Sequence, residues 1–188
     1  MAKKIITACI ISAIMASSAA HAGNENIADI TQRDENSFAT VFQDGIGNNV
    51  DVFQDGIGNH VDIFQDGTGN YSEVFQDGIN NEVEQRLEGE GNKAVVKQVG
   101  SDNKITQHLS GLNNYSLVHQ YGANNTVTHV ANGNDNVMKS YQDGLNNNAS
   151  VTLNGNNNEI ITVQIGNGLN YTLNHTGDGK TMLMYQSR

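Results

Sequence analysis

The chain has 188 residues, a formal net charge of −10 and a hydrophobic share of only 37%, a balance that disfavours phosphate recognition and a thick conventional core. An acidic chain is a poor partner for nucleic acid or anionic membrane. Pro and Trp are absent, and a proline-free chain suits a structure in which every backbone donor joins a ladder.

The N-terminus reads as an export signal over residues 1–22. Lys3 and Lys4 supply charge, residues 5–14 an apolar run, and Ala20, His21 and Ala22 a small-residue cleavage site. The apolar run is too short to span a bilayer. Cys9, the one cysteine, leaves with this segment, and so do two lysines. The remainder, 23–188, is therefore expected to be more acidic and free of thiols, so its stability outside the cell must come from backbone and packing.

From Asn26 to Gln186 a single frame governs the chain. Its most regular stretch reads QDGIGNNVDVF, QDGIGNHVDIF, QDGTGNYSEVF, QDG, from Gln43 to Gly78. With Gln as position 0, the unit has Gly at position 2, Asn at 5, small or apolar residues at 7 and 9, and often Phe at 10. A short fixed period is the signature of a solenoid. Gly45, Gly56, Gly67, Gly78, Gly89, Gly100, Gly111, Gly122, Gly133, Gly144, Gly155, Gly166 and Gly177 recur every 11 residues without an insertion. Position 5 is as regular: Asn48, Asn59, Asn70, Asn81, Asn92, Asn103, Asn114, Asn125, Asn136, Asn147 and Asn158. Position 0 alternates between two kinds of unit. Gln32, Gln54, Gln76, Gln98, Gln120, Gln142, Gln164 and Gln186 form one series, whereas the other begins Gln43, Gln65 and continues Leu87, Leu109, Ala131, Leu153, His175. The true repeat is thus 22 residues, in two similar halves.

Parity supplies the physics. Positions 5, 7, 9 and 0 share one face of a strand, while 6, 8 and 10 face the other way and carry residues such as Asp51, Asp62, Glu73, Lys93 and Lys104. Gly at position 2, preceded by Asp44, Asp55, Asp66 and Asp77, is turn chemistry. The frame predicts an all-β fold: a β-solenoid of about seven 22-residue coils, each two seven-residue strands joined by four-residue turns at positions 1–4. Coils stacked parallel and in register, about 4.8 Å apart, form a column of roughly 34 Å. Inward Gln and Asn then bond to their copies above and below as amide ladders, which lets a core contain amides.

Other features receive bland readings. The acids, most of which lie at or before Glu90, stack as Asp44 on Asp66, Asp55 on Asp77 and Asp51 on Glu73, so acidification or added salt is expected to speed assembly. A calcium solenoid of period nine does not fit the frame, and no metal, cofactor or catalytic site is expected: His60, His108, His119, His129 and His175 scatter over positions 6, 10, 9 and 0. Phe42, Phe53, Phe64 and Phe75 nominally point outward, as a candidate lateral contact or as rings tucked over the end of the arc.

The pattern Gln142-x-Gly144-x-x-Asn147-x-Ala149 resembles the curlin repeat of bacterial curli fibres, with Asn92, Ala94 and Gln98 supplying its downstream half and Ser37, Ser72 and Ser116 echoing its serine. The chain departs from that pattern where Leu153 replaces Gln, where Val occupies position 7, and in a leader of only three residues. The resemblance implies a secreted, self-assembling subunit of an extracellular functional amyloid for adhesion and biofilm matrix. It further implies a second curlin subunit and curli-type secretion and chaperone machinery as partners. Terminal coils on frame at both ends would present open strand edges for head-to-tail homopolymerisation. Two alternatives stay open: a minor curlin that nucleates fibre growth, and a monomeric β-solenoid adhesin.

Overall fold

Strand alternation and the glycine corners build a chain of arcs with one arc per 11-residue unit. The computed structural model describes residues 25–33 and 36–188; the export signal and Asp34 lie outside them. Among the described residues there are fifteen strands: β1 (Ile27–Gln32), β2 (Phe38–Ile46), β3 (Asn49–Ile57), β4 (His60–Thr68), β5 (Tyr71–Ile79), β6 (Glu82–Glu90), β7 (Lys93–Ser101), β8 (Lys104–Leu112), β9 (Tyr115–Ala123), β10 (Thr126–Asn134), β11 (Val137–Leu145), β12 (Asn148–Asn154), β13 (Glu159–Asn167), β14 (Asn170–Thr176) and β15 (Thr181–Ser187). The odd strands form an eight-stranded sheet and the even ones a seven-stranded sheet. Every pairing is parallel and joins residues 22 apart, as in Gln54 with Gln76 and Gln98 with Gln120.

Burial follows the parity of the frame. In β3, Val50, Val52 and Gln54 are buried while Asp51 is exposed. Val, Ile and Met at positions 7 and 9, with Leu at position 0, fill the space between the sheets: Val50, Val61, Ile63, Val83 and Ile105 belong to one apolar cluster, and Leu87, Leu109, Met138, Leu153 and Ile160 to a second. β-Branched residues suit this half-buried pleated surface.

The strand boundaries differ from the sequence expectation. Most strands have nine residues, from position 6 to position 3, so the Asp-Gly pair lies within the ladder, with Gly45 facing Gly67. Reversal is confined to positions 4 and 5. The reason is that the corner keeps its backbone bonds: Gly69 N donates to Ile46 O at 2.9 Å, and Asn80 N to Ile57 O at 2.9 Å. These exposed corner residues thus keep their backbone groups paired with the adjacent coil.

Candidate functional site: the amide ladders and the terminal strands

The position-2 glycines make close stacking feasible. Gly67 has φ +121°, and a Cβ there would sit 2.0 Å from Gly89 O in the next coil. Conformation and approach both demand glycine.

With the coils in contact, the glutamines of the eight-stranded sheet form one continuous column from Gln32 through Gln54, Gln76, Gln98, Gln120, Gln142 and Gln164 to Gln186. Each Nε2 donates to Oε1 of the glutamine 22 residues later, at 2.6–3.0 Å. The other amide proton goes to a backbone carbonyl 16 residues earlier, as from Gln76 to His60 O at 3.2 Å and from Gln186 to Asn170 O at 3.1 Å. In the seven-stranded sheet, Gln43 donates to Gln65 at 2.9 Å. Gln65 meets Leu87 in the next coil and turns its Nε2 to Ser72 Oγ and Asn49 O instead.

The asparagines run at the two corners. Asn70 N and Nδ2 both donate to Asn48 Oδ1, at 3.0 and 3.2 Å, and Nδ2 also donates to Gly89 O at 3.0 Å. The same bonds recur at Asn92, Asn114, Asn136 and Asn158 on one corner and at Asn81, Asn103 and Asn125 on the other, reaching Asn147 through its backbone N–H. Each side chain therefore ties its coil to the one before and, through the glycine carbonyl, to the one after.

Two sets of residues were not singled out by the sequence reading. Position 4 is a second left-handed corner, with Asn80 at φ 54°, Asp102 at 54°, Asn113 at 52° and Gly69 at 66°. Its signal was present in the frame, because Gly, Asn and Asp occupy it in every described unit. The other set is a buried polar chain through the core. Gln85 donates to Gln107 at 2.8 Å, and Gln107 to Ser116 Oγ at 2.7 Å. His129 then bridges Ser116, at 2.8 Å from Nδ1, and Ser140, at 2.7 Å from Nε2, with Thr162 Oγ1 2.5 Å beyond Ser140. Complete burial pushes the His129 imidazole down to about 3. It is neutral, with one nitrogen donating and the other accepting.

The outer faces carry stacked side chains of a different kind. Phe42 lies on Phe64 at 5.0 Å and Phe53 on Phe75 at 5.1 Å between ring centroids. The rings are outward-facing and half-buried, and cations cover them: Arg86 over Phe64 at 4.6 Å, Arg33 over Phe53 at 5.2 Å and Lys97 over Phe75 at 5.5 Å. Asp29, Asp51 and Glu73 stack in one column; burial, then Asp29 and then Glu73, raise the Asp51 carboxyl above its ordinary value. Further along, opposite charges meet between coils, as in Lys104 with Glu82 at 2.8 Å. Among the described residues no cluster of three or more His, Cys, Asp or Glu side chains could hold a metal ion, and no helix is long and apolar enough to cross a membrane.

This arrangement defines an all-parallel, in-register β-solenoid held by amide ladders. Residues 58–84 match the family model described as the curlin associated repeat, and the 22-residue register in which they lie runs from β1 to β15. No curated protein and no solved structure matches the chain.

Proposed function

We propose that this chain is a secreted structural subunit that polymerises head to tail into a curli-type extracellular fibre serving adhesion and matrix building, and that it has no enzymatic role. The observation that carries this reading is the unbroken 22-residue register from β1 to β15, with the glutamine column reaching Gln186 on the last strand. A parallel, in-register stack of this kind can template the strands of another copy, and a heterologous contact that does not close yields an open fibre. Export through the inner membrane by residues 1–22, curli-type secretion and chaperone factors, and a second curlin subunit belong to the same reading. Phe42, Phe53, Phe64 and Phe75 are its candidate contacts between neighbouring fibres.

The test is electron microscopy and fibre diffraction of the aged protein lacking residues 1–22. Unbranched fibres with a meridional reflection near 4.7–4.8 Å are expected. A chain that stays monomeric for days, with no such reflection, would favour the adhesin alternative. The change from glutamine to leucine at Leu87 in the second column favours one variation, a minor nucleating subunit. Shortening of another curlin's lag at substoichiometric dose would separate that role from the major one.

A further inference from the structure

The chain has six tyrosines, and the 22-residue register decides which of them can meet. Tyr71 and Tyr115 share one column but are separated by Lys93, and Tyr141 and Tyr185 share another but are separated by Val163. Two strand spacings, about 9.6 Å, divide each of those pairs. Tyr171 belongs to the core and donates its hydroxyl to Met182 Sδ at 3.4 Å. Tyr121 on β9 and Tyr141 on β11 stand differently. Their strands pair directly, with Tyr121 opposite Asp143 and Tyr141 opposite His119, so the two tyrosines are diagonal neighbours on one outer face. Such neighbours lie within reach of aromatic side chains. The ring centroids are 5.7 Å apart with the planes tilted by 43°, and both residues are half-buried.

The surroundings hold this pair in place and suit oxidation. Lys97, from the coil before, lies over the Tyr121 ring with Nζ 5.7 Å from its centroid. Asp143, two residues along the same outer face, hydrogen-bonds the Tyr141 hydroxyl; burial first, then Asp143, raise that hydroxyl above its ordinary value. Tyr141 therefore keeps its proton at neutral pH, and the Asp143 carboxylate is placed to accept that proton as an electron leaves the ring. The described residues contain no cysteine, so a covalent link between their coils has to come from another side chain.

We propose that Tyr121 and Tyr141 are an oxidative crosslinking site, joined as dityrosine by hydrogen peroxide and a one-electron oxidant of the haem-peroxidase class. Each phenol gives up one hydrogen atom, as a proton and an electron. The two ring radicals couple through a new bond between carbons ortho to the hydroxyls. The hydrogens on those carbons are then lost as protons while the two oxygens regain theirs, which restores both aromatic rings. In sum, two hydrogen atoms leave the protein and one hydrogen peroxide is reduced to two waters. The bond ties β9 to β11 and restricts the unfolded chain as a disulfide closing a loop does. Both tyrosines belong to one chain, so the reaction is independent of fibre formation.

The test treats the purified chain, at low concentration, with hydrogen peroxide and a haem peroxidase. Dityrosine fluorescence is expected in a product that keeps monomer mobility on a denaturing gel. Trypsin cuts the denatured product after Lys104, Lys139 and Lys180, so Tyr121 and Tyr141 fall in separate peptides, 105–139 and 140–180. These should be recovered joined, at their summed mass less two hydrogens, with fragmentation placing the bond between Tyr121 and Tyr141. Tyr121→Phe and Tyr141→Phe should each abolish the joined peptide, whereas Tyr115→Phe should leave it. Oxidation should also raise the denaturant midpoint of the unsubstituted chain and leave that of Tyr121→Phe where it was. A joined peptide that persists in Tyr121→Phe, or dityrosine found only in dimers whose yield rises with concentration, overturns the proposal. So does a folded chain that forms no dityrosine while free tyrosine in the same mixture couples.

Discussion

His129 and Asp51 respond to acid in opposite senses. His129 is buried between Ser116 and Ser140 and titrates at about 3 in the folded chain. The unfolded chain takes up that proton near 6.5. Stability from this residue is therefore complete above 6.5 and is lost as pH falls, by about 2 kcal/mol at pH 5. His129→Gln, which extends the Gln85 and Gln107 column, is expected to remove that loss; denaturant midpoints at pH 7 and pH 5 check it. Asp51 has a raised folded value, so its contribution is greatest below the unfolded value and is lost as pH rises through the folded one. Asp51→Asn should stabilise the fold at pH 7 by a few tenths to about 1 kcal/mol, the scale of a stacked like-charge pair, and have no effect once the carboxyl is protonated. The sequence parity placed His129 on the inward face. Its partners were not legible, because Ser116 and Ser140 come from the opposite sheet and the offset between sheets is not written in either strand.

At the scale of the arc, the two left-handed corners respond differently to substitution. Gly67→Ala would put a Cβ 2.0 Å from Gly89 O at φ +121°. Backbone strain of that kind costs about 1–3 kcal/mol, and the clash adds to it, so folding and assembly should both be lost. Gly69 has φ +66° with nothing within 4 Å of a built Cβ, and asparagine holds the same corner at Asn80 and Asn113. Gly69→Asn is expected to leave the denaturant midpoint and the lag time unchanged. Loss of stability in Gly69→Asn, or tolerance of Gly67→Ala, would contradict this account of the corner. The obligatory glycine was legible from its period alone. Its deeper cause, the carbonyl of the next coil, depends on how closely the coils approach. For the same reason the strands run nine residues where seven were expected: the corner's backbone groups find partners in the adjacent coil.

For the whole molecule, charge is distributed along the axis. The acids crowd the coils at or before Glu90 and stack in columns such as Asp29, Asp51 and Glu73, whereas later coils alternate sign, as at Lys104 and Glu82. Added salt screens exposed like charges over roughly 10 Å or less. Raising NaCl at pH 7 is therefore expected to shorten the assembly lag, and to do so less in Asp51→Asn. Lag times independent of salt in both proteins would show that these columns do not govern stacking. Moderate acidification should have a mixed outcome, faster assembly from the carboxylates offset by loss of stability at His129.

The sequence by itself determined the period, the parity of every strand, the inward placement of glutamine and asparagine, and the all-β solenoid. These follow from spacing, since a fixed 11-residue interval and a two-residue alternation leave a strand few other ways to bury its apolar face. Only the tertiary structure decided which atoms the amides bond and how His129 is enclosed. Those outcomes depend on the relative height of the two sheets. That height is set by the rise of the coil, a property of the assembled stack that no single repeat contains.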